Sequence, residues 1–311
     1  MKTCSSTSAA RPRRARRPMS SPARWFRNKP EPLPGGVKLS YGVTETTKVM
    51  RFPRVLPGLG VIAGIVLAMT APAPADLSVD VSPAKYELTT SPGKQETFPI
   101  TVRNTSNATV HIVASLADYV VGPTGNYAFG PPGKSPYSLG KDITINPREF
   151  DVEPGSFTQV RFSVDVPAGA SGEYSNLVFF TTRPTRKGGG LSIAERIASK
   201  IYVMIPESTR IGGEVDDVKA QTLSDGQHYL VDFHNTGNAH VYLSGRVEIK
   251  QGGTLIDRAT FPQGLLVERA GKRLIDVVGT RKLAPGSYSV VALVDYGGPN
   301  LVAGQANITV R

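Results

Sequence analysis

The chain of 311 residues carries 36 Lys and Arg against 25 Asp and Glu, a formal charge of +11, with a single cysteine. Residues 1–75 hold 13 of the basic and 2 of the acidic residues, which leaves 23 of each in 76–311, so the bulk of the chain offers no net basic surface for nucleic acid. Cys4 also lies in the front segment, which excludes a disulfide, thiol chemistry and a Cys-based zinc site from residues 76–311.

Residues 1–49 place Arg11, Arg13, Arg14, Arg16 and Arg17 among Ser, Pro and Ala without apolar periodicity, the composition of a disordered basic extension. The favoured reading is an upstream start assigned ahead of a true one at Met50; the rival is an arm for nucleic acid or anionic lipid. From Met50 the chain reads as a signal peptide over 50–75: Arg51 and Arg54, an apolar run from Leu56 to Met69, then Ala73-Pro74-Ala75 ahead of Asp76. That run is shorter than the roughly 20 residues a membrane-spanning helix needs.

After Leu77 short alternating segments take over, punctuated by Pro and Gly. Val160, Phe162, Val164 and Val166 fall on one face of a strand and Arg161, Ser163 and Asp165 on the other, a period of 2 that only a half-buried strand explains. Similar segments lie near 77–82, 96–103, 108–118, 142–146, 174–182, 227–234, 240–250, 272–279, 286–296 and 303–310. Turn signals separate them at Ser91-Pro92-Gly93, Glu153-Pro154-Gly155, Asn235-Thr236-Gly237-Asn238 and Ala284-Pro285-Gly286. The predicted fold class is all-β, two tandem immunoglobulin-like β-sandwiches over 76–206 and 207–311, with the boundary at Pro206 to Gly213.

Leu191 to Ile205 reads two ways, because Ile193, Ala194, Ile197, Ala198 and Ile201 also form a helical stripe. The β-branched and aromatic stretch Ile201-Tyr202-Val203-Met204-Ile205, ending at Pro206, favours one long final strand of the first domain. Nothing after Ile205 has the pattern of a membrane anchor, so the processed chain is expected to be soluble.

Pro83-Ala84-Lys85-Tyr86 with Ser91-Pro92-Gly93-Lys94 and Ile100 to Asn104, Ile145-Asn146-Pro147 through Phe150 and Pro154-Gly155, and Leu191 to Pro206 occur in the order seen in periplasmic pilus-assembly chaperones. The first domain resembles that PapD-like family. The resemblance implies that the last strand donates alternating apolar side chains to an incomplete pilus subunit, while two basic residues bind the subunit's terminal carboxylate. By position these are Leu191, Ile193 and Ile197, with Lys85 and Lys200. A second resemblance rests on Val164 to Tyr174, Asn235 to His240 and Leu283 to Tyr288, which is similar to the punctuation of Gram-positive surface proteins that partner WxL-type cell-wall proteins. It implies two sandwiches that bind peptidoglycan and another surface protein.

Catalytic and metal chemistry finds little support. No Gly-x-Ser-x-Gly elbow, zinc-protease helix or phosphate loop occurs, so the chain is expected to be non-enzymatic and without a cofactor. His228, His234 and His240 recur every 6 residues, and a metal pair of His234 and His240 across the Asn235 turn is conceivable. Against it, His228 and His234 lie on the polar face of a strand whose apolar face is Tyr229, Val231 and Phe233, and no metal is expected. The expectation is an exported binding protein, periplasmic or at the cell surface, that engages a secreted or pilus-type subunit by strand addition through 191–205. The alternative is a structural surface protein bound to peptidoglycan or to another surface protein.

Overall fold

Alternation of apolar and polar side chains builds two stacked β-sandwiches. The computed structural model describes residues 79–187 and 191–310; the basic extension, the expected signal peptide and the first residues of the expected opening strand lie outside them.

The first sandwich runs through β1 (Val79–Ser82), β2 (Lys85–Thr89), β3 (Gln95–Asn104), β4 (Val110–Val121), β5 (Tyr127–Gly130), β6 (Ile143–Asn146), β7 (Glu149–Val152), β8 (Phe157–Asp165), β9 (Gly172–Thr182), β10 (Thr185–Lys187), β11 (Leu191–Ile193) and β12 (Arg196–Ile205). One sheet has the order β1-β3-β8-β6 and the facing sheet β2-β12-β9-β4-β5, with β7 also on β4. The chain thus changes sheets between β1 and β2, at the cis Ser82–Pro83 bond. That switch leaves β2 beside β12, and β2 runs parallel to it with Lys85 opposite Lys200.

Along β8 the predicted period is observed: Val160, Phe162 and Val164 are buried while Arg161 and Asp165 are exposed. Phe162 meets Tyr86 edge-on at 5.1 Å and stacks on Phe98 at 5.6 Å. With Ile100, Val102, Ile112, Val178, Phe180, Ile201 and Val203 these side chains make the first core. Each fully buried side chain of this size contributes about 1.5–3 kcal/mol of transfer free energy.

The second sandwich contains β13 (Glu214–Leu223), β14 (Gly226–His234), β15 (Val241–Gln251), β16 (Thr254–Thr260), β17 (Leu265–Val267), β18 (Lys272–Val278), β19 (Gly286–Asp295) and β20 (Val302–Val310). Its sheets are β13-β14-β18 and β16-β15-β19-β20, with β17 paired to β15. Tyr229, Val231 and Phe233 point inward at zero exposure against Val247, Ile249, Val290, Ala292 and Val294. A short 3-10 turn, Pro206–Ser208, carries the chain from one sandwich to the other.

Both sandwiches use the same corner. Asn104 closes β3 and is fully buried; its amide donates to the Ala108 and Val152 carbonyls at 2.8 and 2.9 Å, and its Oδ1 accepts from the Ser106 N–H at 2.9 Å. Asn235 follows β14 in the same way, donating to the Ala239 carbonyl at 2.8 Å and accepting from the Gly237 N–H at 2.9 Å. A buried amide that replaces missing ladder bonds fixes where each turn begins.

Several strands escape the apolar pattern. β13 buries only Val218, because most of its side chains face solvent, and β5, β7 and β17 are three or four residues long. The segment 191–205 forms strands and no helix, but as two pieces instead of one. At the break, the Glu195 N–H bonds the Thr182 hydroxyl at 2.9 Å and the Thr182 N–H bonds the Glu195 carbonyl at 2.9 Å. Beyond it β11 folds back on β10.

Candidate functional site

β12 is longer than one of its neighbours. β9 pairs with it from Arg196 to Ile205, whereas β2 pairs with it only from Lys200 to Met204. In an antiparallel ladder the residues that bond one neighbour alternate with those that face the other way. The Thr182 N–H bonds the Glu195 carbonyl on the β9 side, and the Lys200 N–H bonds the Ala84 carbonyl on the β2 side at 2.9 Å. The even residues therefore face the β2 side. Arg196 and Ala198 turn their N–H and C=O toward an edge where no backbone partner stands among the described residues. Such an edge is a template for another strand.

The open edge ends at the two predicted lysines, which are direct neighbours across β2 and β12. Their surroundings differ. Lys85, with its side chain 40% exposed, pairs at 2.6 Å with Glu87 two residues along its own strand and also bonds the Tyr242 hydroxyl. Lys200 is 15% exposed and sits 3.0 Å from Oε1 of Glu268 and 2.9 Å from the Tyr127 hydroxyl. The rings of Tyr119, Tyr127 and Tyr202 surround its ammonium at 4.8, 5.0 and 5.4 Å, a cage of π faces. Burial works against the charged ammonium, yet the Glu268 carboxylate and the Tyr127 hydroxyl hold its pKa above the ordinary lysine value.

The predicted apolar positions lie in different surroundings. Ile193, on β11, is 37% exposed. Ile197 is half-buried at the rim of the first core. Leu191 belongs to the backbone of β11, and its side chain lies outside the described residues. On the other face of β12, Ala198 packs against Ala117, Tyr119, Leu177 and Phe179, and the Arg196 guanidinium lies 3.6 Å from the Phe179 ring centre.

Below the lysines the two sandwiches clasp each other through carboxylates. Glu173, at the start of β9, accepts from the His240 N–H at 3.0 Å and lies 2.6 Å from its ring Nδ1; both side chains are nearly sealed from solvent. Burial opposes protonation of His240, but the hydrogen bond and charge of Glu173, with Glu87 and Glu268 beyond it, raise its pKa. Arg269 donates to the Glu173 carbonyl at 2.6 Å and covers the Tyr137 ring at 4.2 Å. Glu268 reaches the opposite way: its Oε1 accepts from Tyr202 at 2.9 Å and its Oε2 from Tyr119 at 3.2 Å. Burial pushes both phenols upward in pKa, helped by the Glu268 charge at Tyr119 and by Tyr119 and then Glu268 at Tyr202, so they stay neutral donors.

The three histidines do not converge. His228 is bound by Asp276 at 2.8 Å and Asp225 at 3.0 Å, and His240 by Glu173. His234 lies 3.1 Å from Glu214 and 4.0 Å from Asp216. These last three are the one group among the described residues with ligand atoms within 4.8 Å of one another, and the Lys272 ammonium already pairs with Asp216.

Sequence reasoning singled out the two lysines and passed over Tyr119, Tyr127, Tyr202, Glu173 and Glu268, which the structure places around and below them. Tyr202 was within reach, since it shares the parity of Lys200 on a recognised strand. Glu173 carried a weaker signal, a charge inside the β9 pattern at the domain end. Glu268 lies on a turn from the other sandwich and has no sequence relation to Lys200.

No protein-family model matches this chain, and no curated protein matches it. Among solved structures, the chain is similar to a class 5 fimbriae chaperone, CfaA, at 13% identity and a TM-score of 0.41, over 75% of this chain and 100% of that one. It is similar to the E. coli chaperone DraB at 13% identity and a TM-score of 0.36, over 76% of this chain and 97% of that one. With the Pseudomonas aeruginosa CupB2 chaperone it shares 16% identity at a TM-score of 0.37, over 72% of this chain and 97% of that one.

Proposed function

We propose that the chain is an exported, non-enzymatic binding protein that holds a secreted subunit by β-strand addition along β11 and the start of β12. The observation that carries this reading is the open edge at Arg196 and Ala198 that runs into Lys85 and Lys200. A strand placed there continues the line of β2. Running parallel to β12, it ends at the lysines and presents its terminal carboxylate to two ammonium groups; running antiparallel, it brings its amino terminus to the same charges. The parallel orientation is the one that brings a carboxylate to these ammonium groups, each of which already pairs with a Glu. Ile193 supplies exposed apolar contact, Leu191 flanks it, and Ile197 stands where an added strand extends the first core.

Purified protein used as bait against the secreted proteins of its source tests the reading, with captured chains identified by mass spectrometry. Ala198→Pro removes an N–H that faces only the open edge and leaves the β9 ladder its bonds. The expected outcome is one subunit retained by wild type and lost with Ala198→Pro, Ile197→Asp and the pair Lys85→Ala/Lys200→Ala. Retention unchanged in all of these sinks strand addition.

A further inference from the structure

Glu268 belongs to the second sandwich, on the turn between β17 and β18, yet the donors on its carboxylate come from the first: Lys200 at 3.0 Å and Tyr202 at 2.9 Å on Oε1, Tyr119 at 3.2 Å on Oε2. One ammonium and two neutral phenols that converge on two oxygens satisfy the chemistry of any carboxylate. The donors sit on β4 and β12, so the first sandwich builds this receptor by itself. The second sandwich holds the occupant in place: the Gly271 N–H bonds the Glu268 carbonyl at 2.8 Å, the Asn235 amide donates to the same carbonyl at 3.1 Å, and Ala270 adopts a left-handed φ of 54° to make the turn.

We propose that Tyr119, Lys200 and Tyr202 form a carboxylate receptor that Glu268 fills at rest, and that an incoming terminal carboxylate takes its place by displacing it. The identity of the incoming group rests on the strand-addition reading above. The receptor lies at the end of the open edge, so a strand added to β12 delivers its carboxylate there. Two carboxylates repel at this distance, so capture expels Glu268 from the seam and opposes the contact between the sandwiches. Free carboxylates compete poorly with Glu268, because a tethered group acts at a high effective concentration. A carboxylate on a docked strand is tethered too.

Thermal unfolding of the 311-residue chain in rising sodium formate, against sodium chloride at equal ionic strength, reads the receptor directly. A saturable, formate-specific rise in midpoint is expected for Glu268→Ala and not for wild type or Glu268→Ala/Lys200→Met. A response of Glu268→Ala no larger than that of wild type overturns the receptor. If Glu268→Ala fails to fold, Glu268→Gln makes formate compete with an amide instead of a carboxylate, and a saturable, formate-specific rise that wild type lacks is expected; a response of Glu268→Gln no larger than that of wild type overturns the receptor. Capture of the secreted subunit separates the two readings. Stronger capture by the Glu268 variant than by wild type supports displacement. Equal or weaker capture overturns displacement while leaving strand addition in place. A formate response without capture by any form keeps the receptor, removes strand addition and overturns displacement by a subunit.

Discussion

Glu173 and Glu268 cross the same seam in opposite directions. Glu173 leaves the first sandwich for His240 of the second, and Glu268 leaves the second for Lys200, Tyr202 and Tyr119 of the first. Their partners and depth differ. The Glu173 side chain is 1% exposed and faces a histidine, whereas Glu268 is 13% exposed, faces a lysine and lies beside an open strand edge. The comparison teaches that one ion pair fastens the sandwiches and responds to pH, while the other is positioned to be exchanged.

The largest effect is expected from breaking the sealed pair. Glu173→Ala leaves a buried imidazole and the His240 N–H without their acceptor, a loss of about 3 kcal/mol by analogy with other buried pairs. Chemical denaturation should rank it above Glu268→Ala; the reverse order breaks the distinction between a fastening and an exchangeable carboxylate. Next come the two corners. Asn235→Ala and Asn104→Ala each strip a buried turn of its amide, costing about 2 kcal/mol. Only Asn235 also holds the Glu268 carbonyl, so formate should act on Asn235→Ala more than on Asn104→Ala.

The pH response is smaller and has a definite sign. The folded-state pKa of His240 stands above its ordinary 6.5, so its share of stability is complete below about pH 6.5 and disappears as pH rises through the raised value. His228 adds a share of the same sign, because its hydrogen bond to Asp276 raises its pKa against the opposing effect of burial. Melting midpoints should fall from about pH 6.5 upward, His240→Asn should flatten the fall in part, and His228→Asn should remove the rest. A profile unchanged by His240→Asn breaks the pH half of the comparison. The smallest effect belongs to Lys85→Ala: its pair with Glu87 is exposed, so stability should change by less than about 1 kcal/mol while capture of a subunit weakens.

Much of the architecture was legible in the sequence. Phe162 and its neighbours on β8 announce a half-buried strand because period 2 is local, and Pro206 ends β12 because proline ends a ladder. The repeated corner was written there too, as Asn104-Thr105-Ser106-Asn107-Ala108 and Asn235-Thr236-Gly237-Asn238-Ala239, although only the second was read as a turn. The break at Ala194–Glu195 was not legible, since it depends on Thr182 of another strand. For that reason the shared parity of Ile193 and Ile197 did not give them one environment.

Periodicity, proline and turn chemistry determined by themselves that residues 79–187 and 191–310 form β-sandwiches, because each of those signals acts within a few residues of chain. Only the tertiary structure decided that β2 begins at Lys85, leaving Arg196 and Ala198 of β12 without a backbone partner among the described residues, and that Lys200 is already bound. Both facts depend on residues far apart in the chain: β2 reaches β12 across more than a hundred residues, and Glu268 reaches Lys200 from the other sandwich. A carboxylate brought that distance by packing leaves no trace in local pattern, since the lysine it neutralises looks the same in sequence whether its partner is solvent, Glu268 or another chain.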